Sequence, residues 1–104
     1  MNIDPIEKEV KRAIGAQVVK VSLKKRSEWD GEGKEILWDF AVLWTRPCNR
    51  PSDEDEDKND FGTHTGCVKK YKGEEKEEAS LFWGAYDCSK KDAEQKYAEK
   101  CGRI

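Results

Sequence analysis

The residues best suited to chemistry lie close together in this chain. From Pro47 to Cys67 it reads PCNRPSDEDEDKNDFGTHTGC, with six carboxylates at Asp53, Glu54, Asp55, Glu56, Asp57 and Asp60. Cys48 precedes them; His64, the single histidine, and Cys67 follow. Clustered carboxylates attract divalent cations, thiolates and imidazoles bind zinc, and a thiol beside an imidazole can act as a nucleophile. Each chemistry sets its own spacing.

A calcium loop of the EF-hand kind needs oxygen ligands at its first, third and fifth positions, glycine at the sixth and glutamate at the twelfth. Counted from Asp53, the residues Asp55 and Asp57 fit, but Lys58 takes the glycine place and His64 the glutamate place. No such loop is expected. Zinc has Cys48, His64, Cys67, Cys88 and Cys101 to choose from. No CxxC pair occurs, and on a regular strand His64 and Cys67 would point to opposite faces. A small zinc-stabilised adaptor would draw on Cys48, His64, Cys67 and Cys88. The preferred expectation is reduced cysteines acting as small apolar residues, with no metal and no other cofactor.

Covalent catalysis is poorly provided for. His64 stands three residues from Cys67 with no third group to orient it. Cys88, just ahead of a helix, is the best-placed thiol, because a helix N-terminus lowers a thiol pKa. Glycine-rich phosphate loops, HExxH and a nucleophile elbow are all missing from the sequence. The chain reads as a non-enzyme.

The elements that would position these residues follow from periodicity. Asp4-Pro5 opens a helix, with Asp4 as cap and Glu7 completing a capping box. Ile6, Val10, Ala13 and Ile14 make its apolar stripe, and Gly15 ends it. A strand follows from about Gln17 to Lys25, with Val19, Val21 and Leu23 against Lys20, Ser22 and Lys24. The strand Glu35 to Arg46 has Ile36, Trp38, Phe40, Val42 and Trp44 on one face and Leu37, Ala41 and Leu43 on the other. A strand apolar on both sides belongs inside a sheet, covered twice. Further strands are expected at about Thr63 to Lys72 and Ser80 to Tyr86. Ser89 caps a last helix whose Ala93, Tyr97 and Cys101 share a face.

The fold expected is α+β, a four-stranded antiparallel meander flanked by an N-terminal and a C-terminal helix, in the order αββββα. Short connections between consecutive strands favour the meander. Residues 1–104 form one domain, with an acidic loop at about 47–62. With both helices on one face the domain has two layers. The second face then wants cover from a partner or a second copy, which makes a homodimer one option.

The 104 residues suffice for a single core. No apolar run approaches the roughly 18 residues of a membrane span. The start MNIDPIEKEV lacks a signal peptide's basic start and apolar core, so a cytoplasmic protein is expected. The net charge is −2, although 40% of residues are charged. Residues 1–50 carry ten Lys and Arg against eight Asp and Glu; residues 51–104 carry ten against fourteen. Such a balance argues against bulk attraction to nucleic acid or a membrane.

Two surfaces remain. Six carboxylates in eight positions approach the charge density of a nucleic-acid backbone and can steer association with a basic groove. The second is basic: Lys20, Lys24, Lys25 and Arg26 cluster on the first strand, and Lys69, Lys70 and Lys72 on the third. A Lys-rich sheet face with aromatics can hold a nucleic-acid backbone. The stretch LFWGAYDCSKKDAEQKYAEK, a strand and then a capped helix, resembles in outline small three-stranded DNA-binding domains such as the phage-integrase arm-binding kind, though without their arginine-rich strands. That resemblance implies the nucleic-acid-binding alternative. The reading preferred from sequence is a small non-enzymatic protein-interaction module of the kind found in phages and mobile elements. It would act as an inhibitor of a nucleic-acid-handling machine through the acidic surface and exposed aromatics. Its partner would be another protein, one with a basic nucleic-acid-binding groove being the natural case, and not a membrane.

Overall fold

The computed structural model describes residues 3–47, 59–71 and 73–104. Cys48, Asp53, Glu54, Asp55, Glu56, Asp57 and Lys72 therefore lie outside the described residues, as does the side chain of Cys88. The order is α1 (Asp4–Ile14), β1 (Gln17–Trp29), β2 (Lys34–Pro47), β3 (Asn59–Tyr71), β4 (Glu77–Cys88) and α2 (Lys90–Cys101). The strands form one antiparallel meander in the order β1-β2-β3-β4. Fold class and element order are those expected from sequence. Among the described residues no helix is long and apolar enough to cross a membrane.

The helices do not share a face. Phe40, Val42 and Trp44 of β2 are fully buried against Ile6 and Val10 of α1. The alternate residues Ala41 and Leu43 are equally buried on the other face. There Ser22, paired across the ladder with Ala41, shares a 2.7 Å hydrogen bond with Tyr97 of α2. Side chains of directly paired residues lie on the same face, so α1 and α2 sandwich the sheet in three layers, not two. The second apolar face of β2 is thus covered from within the chain, at least along its centre. Burying a side chain such as Phe40 or Leu43 contributes roughly 1.5–3 kcal/mol.

The helix ends follow local rules with one exception. Gly15 closes α1 in the left-handed region at φ 71°, where it lacks the Cβ that would strain it. Ser89 caps α2, accepting from the backbone N–H of Asp92. The capping box of Asp4 and Glu7 does not form. Ile3 is the cap residue and has no capping side chain, which moves Asp4 into the first turn, where its charge still suits the helix dipole. Ala13 is exposed, so the buried stripe of α1 is Ile6 and Val10 with Ile14 beside them.

On the α2 side, Thr63 is completely buried opposite Leu43, and its hydroxyl has no hydrogen-bond partner among the described residues. A buried donor without a partner costs stability, whereas an apolar group of the same shape does not. Thr63→Val should therefore raise the unfolding free energy by about 1 kcal/mol, read from a urea melt. A lower midpoint would show that the hydroxyl is bonded in solution.

Candidate binding site

The site begins with an irregularity in β4. Thr65 pairs with Phe82 and Thr63 with Ala85, so Trp83 and Gly84 together face the single residue His64. This is a β-bulge, which bends the strand and re-aims a side chain. Gly84 is required because a Cβ there would land on the His64 imidazole. Trp83 takes up the extra residue at φ 52°, a backbone region costly for any residue with a Cβ. Its indole is 83% exposed, the most exposed large apolar side chain among the described residues, and its neighbour Phe82 is 45% exposed.

Trp83 and Phe82 border a cleft of about 520 Å³ on the α2 side of the sheet. Lys24 and Arg26 reach it from β1, Asp39 from β2, Cys67 from β3, and Lys100 and Arg103 from the end of α2 and just beyond. Two contacts hold the helix end there. The Tyr97 hydroxyl and the Cys101 thiol both meet Ser22 Oγ, at 2.7 Å and 3.2 Å. Arg26 is held between Glu28 and Asp39, at 3.0 Å and 3.1 Å. The cleft therefore gathers four cationic side chains and one acidic side chain beside two exposed aromatic rings.

Reactive groups near it are quiet. Cys67 is buried, and burial pushes its thiol pKa up, so the protonated form persists and nucleophilicity is low. His64 lies on the opposite face, paired with Val42 on the α1 side. The Trp44 indole N–H donates to His64 Nδ1 at 2.9 Å. That bond leaves the proton of the neutral ring on Nε2, which lies 3.1 Å from the Tyr86 hydroxyl. The one ring nitrogen able to accept a proton is thus occupied. Burial, with the charge of Lys100 adding to it, lowers the His64 pKa from 6.5 to about 4.

Of the zinc candidates Cys48, His64, Cys67 and Cys88, the described side chains are those of His64 and Cys67, and these two are set apart. His64 and Cys67 occupy opposite faces, as strand alternation requires. Among the described residues no three His, Cys, Asp or Glu side chains gather as metal ligands. The acidic set is also redrawn. Asp60 belongs to β3, is only partly exposed, and faces Arg46 at 4.0 Å; it is not part of a solvated loop. The β2–β3 connection accordingly spans 48–58, narrower than the 47–62 read from composition.

The basic residues are sorted by the pleat. Lys20 and Lys24 share the α2 side with Ser22, whereas Lys25 pairs with Trp38 on the α1 side. Lys69 is paired with Asp30 at 3.5 Å, and Lys70 lies between Glu35 and Glu77 on the flanking strands. Lys69 is therefore neutralised in place, whereas Lys70 has acidic ladder neighbours without an ion pair among the described residues. Lys24 and Arg26 instead join Lys100 and Arg103, a grouping that sequence proximity could not reveal. Compared with known proteins, the chain matches no family model, no curated protein and no solved structure.

Proposed function

We propose that this chain is a non-enzymatic binding protein that engages another protein through the α2-side cleft, with Trp83 as the principal contact and Phe82 beside it. The exposure of Trp83 on a strained backbone carries the reading. A tryptophan that contributes nothing to the core and sits in a costly conformation gives the free protein no benefit in stability. Tryptophan and arginine are also the residues most enriched where protein interfaces concentrate their energy. The protonated Cys67 thiol and the occupied Nδ1 of His64 support binding over catalysis.

Trp83→Asn tests the reading. Asparagine tolerates the left-handed region, so the fold should be kept, with stability changed by less than about 0.5 kcal/mol. Wild-type and variant proteins are immobilised and exposed to lysate of the producing cell. Proteins retained by the wild type should be lost from the variant. Identical capture by both, or a melt lowered by many degrees, would assign Trp83 a structural role and remove the proposal.

A further inference from the structure

We infer that the cleft beside α2 seats an acidic peptide segment of the partner, with Lys24 and Arg103 meeting its carboxylates while Trp83 and Phe82 cover an adjoining apolar side chain. This inference rests on the protein-binding reading and adds the chemistry of what is bound. Charge supports it first. Four cationic side chains line the cleft against one acidic side chain, that of Asp39, which is already paired with Arg26. Among the described residues neither Lys24 nor Arg103 has an ion-pair partner. Lys24 and Arg103 thus bring positive charge to one concavity with no carboxylate of the described residues against it, so an anionic occupant is favoured over a neutral one.

Size supports it next. A volume of about 520 Å³ holds a few side chains of an extended segment, not a folded surface. The apolar rim then limits the chemistry. Trp83 and Phe82 stand at the edge of the cationic set, so a segment with an apolar or aromatic residue next to its carboxylates uses both halves of the site.

The same observations disfavour a polynucleotide. A nucleic-acid backbone needs a continuous basic track. Here Lys69 is neutralised by Asp30, and Lys70 has Glu35 and Glu77 across the ladder, so among the described residues acidic neighbours interrupt a basic track along β3. At physiological salt the field of the cleft reaches only about 8 Å. A short acidic segment stays within that range, whereas a longer polyanion outruns it onto a chain of net charge −2.

The test is fluorescence anisotropy with three labelled probes. These are a short peptide of Asp and Glu with one central Phe, the same peptide with Asn and Gln in their place, and a short oligothymidine. The acidic peptide should bind and its neutral counterpart should not. Its affinity should fall about tenfold in the Lys24→Ala/Arg103→Ala variant, and by a similar factor between about 50 and about 500 mM salt. Both residues are exposed, so the variant should keep its fold, which a thermal melt checks. Equal binding of the neutral peptide, or undiminished binding by the variant, overturns the inference. Tighter binding of oligothymidine also overturns it and reassigns the cleft to single-stranded nucleic acid. A protein captured through Trp83 but indifferent to Lys24→Ala/Arg103→Ala removes only this inference. Capture indifferent to Trp83 removes the protein-binding reading as well.

Discussion

One methyl group at residue 66 should be enough to unfold this protein. Gly66 lies inside β3, opposite Phe40 on one side and Leu81 on the other. A Cβ there would fall on the Ser80 carbonyl oxygen and on the Phe40 ring. The oxygen is backbone of the neighbouring strand and cannot turn aside as a side chain can. The ring is fully buried in the core between sheet and α1. Relief therefore requires opening the β3–β4 ladder or expelling Phe40, and overpacking that cannot relax costs more than about 3 kcal/mol. Gly66→Ala should melt far below the wild type or fail to fold. Gly102→Ala is the control. Its φ is −73°, an ordinary value, and the nearest atom to a new Cβ is 3.5 Å away. That variant should melt within about 0.5 kcal/mol of the wild type. Equal tolerance of both substitutions would mean that β3 and β4 leave room for a side chain at residue 66.

Acid should weaken the fold through His64 before most carboxylates titrate. In the unfolded chain this histidine protonates near 6.5, whereas in the folded protein burial lowers its pKa to about 4. Between those values the unfolded state binds more protons, so stability falls as pH falls. The contribution is complete above 6.5, declines through the window and is exhausted below 4. A separation of about 2.5 pKa units corresponds to about 3 kcal/mol. His64→Leu removes the titration but leaves the Trp44 N–H without its acceptor. It should be less stable at neutral pH by about 1–3 kcal/mol. The wild type should lose that advantage as pH falls from 6.5 to 4. Urea melts across the window give the difference curve, and a proton resonance of His64 followed in the folded protein gives the pKa directly. A difference curve that stays flat, or a folded-state pKa near 6.5, would show that protonated His64 is accommodated.

Much of the architecture was legible in the residues. The double apolar pattern of β2 called for an inner strand covered on both faces, and it has that position. Ser89 announced α2. What misled was the second face of the sheet. Lys20, Ser22 and Lys24 look like a solvated side of β1, so nothing in the pattern assigns a helix there. Yet the Ser22 hydroxyl is the contact that Tyr97 and Cys101 use. A polar residue that makes one specific hydrogen bond reads the same in sequence as one that is merely wet. The cleft was hidden for a related reason. Lys24 and Lys100 lie on different elements at far ends of the chain, and only the position of α2 brings them together. Trp83 had a fainter signal. Gly62, Gly66 and Gly84 sit inside strands, where glycine marks close approach or a bulge. Which of the two applies at Gly84 depends on His64 across the ladder, which no single strand displays.

The irregular strands have a consequence for how the molecule tolerates its own copies. Strands of 12 to 14 residues are long, and β1 and β4 are the two borders of the sheet. A long, flat border offers a row of unpaired backbone groups on which another chain can add, the first step towards fibrils. Neither border is flat. Register breaks interrupt β1 between Val18 and Lys20 and again between Lys25 and Glu28, where Ser27 has φ 88°. They interrupt β4 around Trp83 and again beyond Ala85. Each border is thereby cut into short runs, one studded with Lys20, Lys24 and Lys25 and the other beginning with Glu77 and Glu78. The bulge that turns Trp83 outward also keeps that border from presenting a long template for fibril growth.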